Sequence, residues 1–267
     1  MDQEWRGLLY PTRLPSFHRL PAPPALADRV RWFWIPEWSL GPGRASRQEV
    51  LPFPALNLVV EPGGVSLSGP ATRRSHRDLT GTGWAVGLLL RPAAVPHLTD
   101  DPQALRDREV PYPAPELHAA VSAAMADSAA AGADDGAGRR ERAAAAAAAW
   151  LTASVSPPDA DGALANRLEE LIQFTAAVTR VDQAAQLLGI SVRTAQRLAR
   201  RHVGLPPLAM IRRYRLQEAA ERLRTDPGVT IADVAADLGY VDHAHLTADF
   251  RQVLGFTPSG YRRSARG

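Results

Sequence analysis

The sequence predicts an α+β chain in two parts, a small β-barrel or sandwich with Ala-rich helices followed by an all-α domain. Three observations carry this. Residues 29–91 read as short apolar runs split by Gly and Pro, residues 116–153 turn Ala-rich, and the last third holds one helical pattern twice. A chain of 267 residues is long enough for two hydrophobic cores. The boundaries that follow are a β-rich domain at 1–115, a helical pair at 116–153, a linker at 154–162 and a helical domain at 163–267.

Residues 1–28 are Pro-rich and irregular. VRWFWIPEW at 30–38 is aromatic and roughly alternating, as a half-buried strand should be. ALNLVVE at 55–61 runs into Pro62-Gly63-Gly64, a hairpin-like turn from which VSLS at 65–68 returns. GWAVGLLLR at 83–91 reads as a buried strand stopped by Pro92, and Gly81-Thr82-Gly83 as a turn. Close-spaced short strands with this punctuation predict the sandwich or barrel. A helix at 116–126 then leads through a loop at 131–138 to a second helix, from 139 through seven alanines to Trp150 and Leu151. Alanine has the highest helix propensity and little bulk, so this helix suits close contact with another. That contact is as consistent with a homodimer as with padding of the barrel within one chain. Pro157-Pro158 forbids helix inside SVSPPDADG, which marks the linker. An amphipathic helix at 163–178 opens the last domain.

The repeated pattern spans 181–202 and 231–254. Each copy has a short helical run with Ala at the same place (Ala185, Ala235), then Gly (Gly189, Gly239), then a capping residue (Ser191, Asp242) and a second helix. Ala fits where two helix backbones approach, and Gly fits where the chain leaves the first helix in a left-handed conformation. The pattern is that of a helix-turn-helix, and two in tandem point to DNA. In the first copy Arg193, Gln196, Arg197 and Arg200 fall on one stripe, with Val192, Ala195, Leu198 and Ala199 facing the core. Arg and Gln are the side chains that pair bidentately with guanine and adenine edges in the major groove. In the second copy Thr230 and Asp233 suggest a capping box. Leu246, Phe250, Val253 and Leu254 form its buried stripe, and His243, Thr247 and Arg251 its outer one. Between the copies, 206–224 reads as one helix of roughly 28 Å, close to the ~34 Å of a DNA turn. Arg212, Arg213 and Arg215 on it are candidates for phosphate contact.

Charge and composition support this reading and narrow it. Residues 161–267 carry 15 Arg against 11 Asp and Glu, a net +4, while residues 1–160 carry 16 against 17, a net −1. The basic excess therefore lies with the twin motifs. There is no Cys, which excludes disulfides, Cys-ligated metals and Cys nucleophiles, and no Lys, which excludes a P-loop or a Schiff-base enzyme. The start of the chain lacks the features of a signal peptide, and no apolar run reaches the ~18 residues of a membrane span, so a cytoplasmic protein without membrane contact is expected.

GYVDHAHLTADFRQVLGFTPSGYR at 239–262, with its Gly255, Pro258 and Arg262 ending, resembles the second helix-turn-helix of the AraC/XylS family of bacterial transcription regulators. LPPLAMIRRYRLQEA at 205–219, with Arg215-Leu216, resembles that family's linker helix. Where the family has large apolar residues and an Arg, this chain has Ala195, Ala199 and Ala248; Leu246 stands for a common Phe. The first half, at PFPALNLVVEPGG and LLLRPAAV, resembles the cupin-like sensor regions attached to some members, with Leu90 and Ala93 in place of Phe and Gly. The resemblance implies sequence-specific binding of double-stranded DNA, activating or repressing transcription, with RNA polymerase a partner if activating. It also implies a first domain that senses a small molecule, dimerises, or both. A ligand-independent regulator whose first domain only dimerises is the alternative.

A third reading is a metal-dependent cupin enzyme fused to a DNA reader. His18, His76, His97 and His118 lack metal-ligand spacing, and no G-x-S-x-G occurs, so neither an enzyme, a metal nor a cofactor is expected. Trp32, Trp34 and Trp84 are candidates to line an effector pocket, although aromatics in strands more often form core.

Overall fold

The computed structural model describes residues 16–50, 52–126 and 136–264. Its first half is an antiparallel sheet built from β1 (Phe17–Pro21), β2 (Val30–Ser39), β4 (Asn57–Glu61), β5 (Gly64–Ser68), β8 (Val86–Leu90) and β9 (Glu109–Pro111), in the order β1-β2-β8-β4-β5-β9. A short β7 (Thr82–Trp84) extends β2. A separate ribbon pairs β3 (Ala45–Val50) with β6 (Ser75–Thr80). The strands expected at 30–38, 55–61, 65–68 and 83–91 correspond to β2, β4, β5 and β7–β8. The region of residues 1–28 expected to be irregular contains β1; residues 1–15 lie outside the described residues.

One face of the sheet is apolar and covered. Phe33, Ile35, Leu58, Val65, Leu67 and Leu88 are buried there against α1 (Pro115–Ala126) and α2 (Gly136–Ser154). Each such Leu contributes about 1.5–3 kcal/mol by leaving water. The alanines of α2 fill this interface. Ala143, Ala144, Ala147 and Ala148 are buried with Leu117, Val121 and Met125 of α1. These four alanines pad the sheet within this chain, one of the two contacts that their small size allows. Arg140 holds the start of α2 to the sheet through Glu37 at 2.9 Å.

The second half is helical. α3 (Ala160–Phe174), α4 (Val181–Leu187) and α5 (Val192–His202) form the first unit, α6 (Pro207–Thr225) crosses to the second, and α7 (Ile231–Asp237), α8 (His243–Leu254) and α9 (Pro258–Ser264) complete it. The α+β class is as expected, and no described helix is long and apolar enough to cross a membrane.

The stretch expected as a free spacer differs from expectation. Val155 is fully buried and its carbonyl accepts a bond of 2.8 Å from Arg29 Nη1. α3 begins at Ala160, inside the expected linker, because Asp159 caps it through Gly162 N. The first helical unit is then docked on the second face of the sheet. Trp32, Phe53, Ala55 and Leu89 share one core with Leu168, Ile172, Leu198, Met210 and Tyr214. A register shift between Val30 and Trp32 makes this possible. Such a bulge turns two successive residues to one side. Here Arg31 pairs with the buried Glu169 at 2.7 Å and Trp32 packs among the helices, while Val30 and Phe33 stay in the other core. Tyr214 also donates to Glu169 at 2.7 Å.

Candidate nucleic-acid interface

Both helix-turn-helix units form from local rules. Gly189 and Gly239 have φ of +66° and +68°, the left-handed exits that the first helices require. Ser191 accepts from Thr194 N at 3.0 Å and Asp242 from His245 N at 2.7 Å, so the second helices start at Val192 and His243. Thr230 and Asp233 form the expected capping box. Ala185 and Ala235 are buried at the helix crossings. Gly255 ends α8 in the left-handed region at φ +79°, Pro258 starts α9, and Arg262 donates to Val229 O at 2.6 Å, which ties the end of the chain to the second unit.

On α5, Ala195, Leu198 and Ala199 are buried, and Arg193, Gln196, Arg197 and Arg200 are exposed on the other side. Val192, expected inside, is 38% exposed, because the first residue after the cap lies beyond the packed turn. Arg197 is held by both oxygens of Asp161, at 2.6 and 3.2 Å. The hydrogen bond from Arg197, followed by its charge, lowers the pKa of Asp161, and the same bond raises that of Arg197. The pair is exposed on both sides, so breaking it costs little.

On α8, Leu246, Phe250, Val253 and Leu254 are buried, and His243 and Arg251 are exposed. Thr247 is half-buried and its hydroxyl donates to His243 O at 2.8 Å, which leaves only its lone pairs for another partner. His245 packs edge-on against Tyr240. Val241, which no pattern in the sequence marks, is 88% exposed beside the Asp242 cap.

The three arginines of α6 separate. Arg212 is exposed. Arg213 is turned to the sheet half and donates to Thr72 O at 2.7 Å; burial lowers its pKa. Arg215 lies over the ring of Tyr240, and burial lowers its pKa too. Two of the three candidate phosphate contacts therefore face inward.

The sheet half holds a cavity of about 820 Å³ between its second face and the β3–β6 ribbon. Trp34 lines it, lying flat over Gly87, where any Cβ would collide with the indole; its Nε1 donates to Asn57 Oδ1 at 3.0 Å. Neither Trp32 nor Trp84 is in the lining. Trp32 belongs to the core beneath the helices, and Trp84 packs on the core facing α1 and α2. Phe17, Trp38 and Phe53 complete the apolar part, and residues 69–78 form much of the rim. Among the described residues there is no cluster of three His, Asp or Glu that could hold a metal ion.

Two family descriptions match the sequence: "Helix-turn-helix domain" over residues 184–264 and "Domain of unknown function (DUF6597)" over residues 18–111. The chain is 33% identical over 107 residues to the HTH-type transcriptional activator AarP of Providencia stuartii, covering 40% of this chain and 70% of that protein. It is 32% identical over 104 residues to an AraC-like transcription regulator of Streptomyces lividans, covering 39% and 34%. The match spans about a third of the length of the latter and less of others, such as the transcriptional activator RhaS of an Enterobacter strain, at 29%. Among solved structures, the DNA-binding domain of AdpA in complex with a target DNA matches with a TM-score of 0.34 and 27% identity, over 38% of this chain and 93% of that one. ToxT from Vibrio cholerae matches with a TM-score of 0.45 and 10% identity, over 88% and 98%.

Proposed function

This chain belongs to the AraC family of helix-turn-helix transcriptional regulators, and we propose that it reads operator DNA with α5 and α8 in successive major-groove segments. The observation that carries this reading is the exposed stripe of Arg193, Gln196, Arg197 and Arg200 on a helix capped by Ser191. A bidentate Arg is the commonest reader of guanine, and Arg197 holds Asp161 through the same two nitrogens that a guanine edge would engage. The nineteen residues of α6 span about 28 Å, which suits two reading helices one DNA turn apart. His243, Thr247 and Arg251 supply the second contact, with Val241 placed for a thymine methyl group.

The protein acts by binding rather than catalysis. Its sheet half takes a small effector in the cavity floored by Trp34, and the occupant shifts how the reading helices are presented. Should the outcome be activation, RNA polymerase is the further partner. Support for the effector comes from the cavity's size, its apolar floor and its polar rim.

The test uses duplexes selected from a random-sequence library by the full chain. A footprint on a selected duplex should show two protected tracts about one turn apart. Arg197→Ala should cost about 1–3 kcal/mol on that duplex and much less on random DNA. Equal loss on both would reduce Arg197 to a phosphate contact.

A further inference from the structure

The reading face of α5 is walled on one flank. Residues 99–108, which run from the 3-10 segment Pro92–His97 toward β9, stand opposite it across a groove of about 650 Å³. Asp100 and Asp101 line one side; Arg193, Gln196, Arg197 and Arg200 line the other.

The wall is fastened to the reader at the end of α5. Arg106 Nε donates to Gly204 O at 2.6 Å. The Pro102 carbonyl sits so close to Gly204 that any Cβ there would collide, and Gly204 itself has φ +78°. Just before the wall, the 3-10 segment is held to the same helix end, His202 hydrogen-bonding through Nδ1 to Pro92 O at 3.0 Å. The wall is fastened equally to the rim of the sheet cavity. Gly69 leaves room for Leu105 and for nothing larger than hydrogen. Asp107 accepts from Thr72 N at 2.6 Å and also from the Thr72 hydroxyl, and Gly69, Thr72 and Asp107 all line the cavity.

An α-helix with its side chains is about 10–12 Å across and the major groove of B-DNA about 12 Å wide, so a reading helix has a phosphate strand along each flank. Along one flank of α5 the protein places two carboxylates instead. They carry the sign of charge that phosphates would carry there, and Asp101 is held in place by its own loop, Oδ1 accepting from Gln103 N at 3.1 Å and Ala104 N at 3.2 Å.

We propose that the wall of residues 99–108 masks the α5 reading face as an internal substitute for one phosphate strand, and that operator binding requires it to withdraw. The inference rests on α5 being a DNA-reading helix. The shared anchors at Gly69, Thr72 and Asp107 make the wall the connection between cavity and reader, so an occupant that moves the rim moves the mask.

Arg106→Ala separates masking from plain electrostatics by the sign of its effect. Removing a cation near DNA weakens binding when charge alone matters. Removing the latch of a mask strengthens it, and the expected gain on a selected duplex is about tenfold, on the scale of one charged hydrogen bond. Unchanged or weaker binding by the folded variant overturns the proposal. A double change, Asp100→Asn with Asp101→Asn, should raise affinity in the wild type but add little once Arg106 is Ala; equal gains in both backgrounds mean independent charges and no mask. A third measurement needs no variant. Amide exchange across 102–108 in the full chain should quicken when the selected duplex is added, and slowed or unchanged exchange refutes withdrawal. Arg197→Ala tests the DNA reading itself, so that its failure and the failure of the mask are distinguishable.

Discussion

The two helix-turn-helix units share one pattern yet are held in opposite ways. The first has no private core. Its Leu168, Leu198 and Tyr214 are buried together with Trp32, Phe53 and Leu89 of the sheet half. The second packs Leu216, Leu223, Val234, Leu246, Phe250 and Tyr261 among themselves, with no residue from the sheet. It touches the sheet half through polar contacts: the Arg74 backbone N donates to Val253 O at 2.9 Å, the Arg74 guanidinium lies over Phe256, and Gln217 Nε2 of α6 donates to Pro52 O at 2.9 Å. Local sequence rules therefore decide that each unit forms, while long-range packing decides what each moves with. The first unit shares its core with the sheet half, and the second is joined to it by α6 and a few polar contacts.

The largest effect should come from breaking the junction that only the first unit has. Glu169 is completely buried, paired with Arg31 and accepting from Tyr214. Its attraction and hydrogen bond offset the cost of burying Arg31, whose pKa is raised overall despite desolvation. Glu169→Ala leaves that cation uncompensated and should destabilise the chain by about 3–5 kcal/mol. Phe250→Ala should cost a similar 3–5 kcal/mol, but in the second unit. All six Trp lie at or before position 150, so Trp fluorescence follows the sheet half, while amide exchange over residues 231–264 across the same urea range follows the second unit. Glu169→Ala should shift the Trp transition in urea, and Phe250→Ala only the other. A common transition for all probes in both variants would mean that the units unfold together and the contrast is wrong.

A smaller effect distinguishes the first unit by pH. His202 is buried at the junction, and burial pushes its pKa below the ordinary 6.5; Arg201 pushes the same way, while the Pro92 carbonyl, Asp159 and Asp161 oppose it. The unfolded chain therefore takes up a proton near pH 6.5 that the folded one resists. Stability from this group is complete above that pH and falls as pH drops through it toward the lower folded value. The Trp transition should weaken as pH falls below about 6.5, and His202→Gln should flatten that slope. An unchanged slope in the variant would assign the acid sensitivity to the carboxylates instead.

The contrast between the units also marks what the sequence makes legible. The caps at Ser191 and Asp242, the capping box at Thr230 and Asp233 and the exits at Gly189 and Gly239 each depend on residues a few positions apart, and all are found. So are β2, β4, β5 and β8, whose apolar content is high. β3, β6 and β9 leave no trace in the sequence because ASRQEV, SHRDLT and EVP have no apolar alternation; they are strands by virtue of partners 25 or more residues away. The bulge that turns Arg31 toward Glu169 has no local signal. Nor does the approach of Asp100 and Asp101 to α5, since an Asp pair before Pro102 reads as an ordinary solvated loop. Of the three candidate pocket tryptophans, only the one opposite Gly87 lines the cavity. That distinction depends on which residue the neighbouring strand places beneath the ring.

The smallest expected effect bears on what α5 and α8 have engaged when no DNA is bound. Arg197 of α5 is engaged by Asp161, whereas Arg251 of α8 has no ion pair among the described residues. Asp161→Asn removes a surface pair that is half open to water, so the unfolding transition should stay within experimental scatter. DNA binding should respond more than stability does. Asp161 and a guanine edge compete for the same two guanidinium nitrogens, so removing the carboxylate lowers the cost of transferring Arg197 to DNA. It also removes a repulsive charge near the phosphates, which helps on any sequence. The two contributions separate in a cycle with Arg197→Ala. The gain on random DNA should persist when Arg197 is absent, while the extra gain on the selected duplex should vanish with it. If that extra gain survives without Arg197, Asp161 acts only through the general field, and the ion pair has no part in preparing α5 to read.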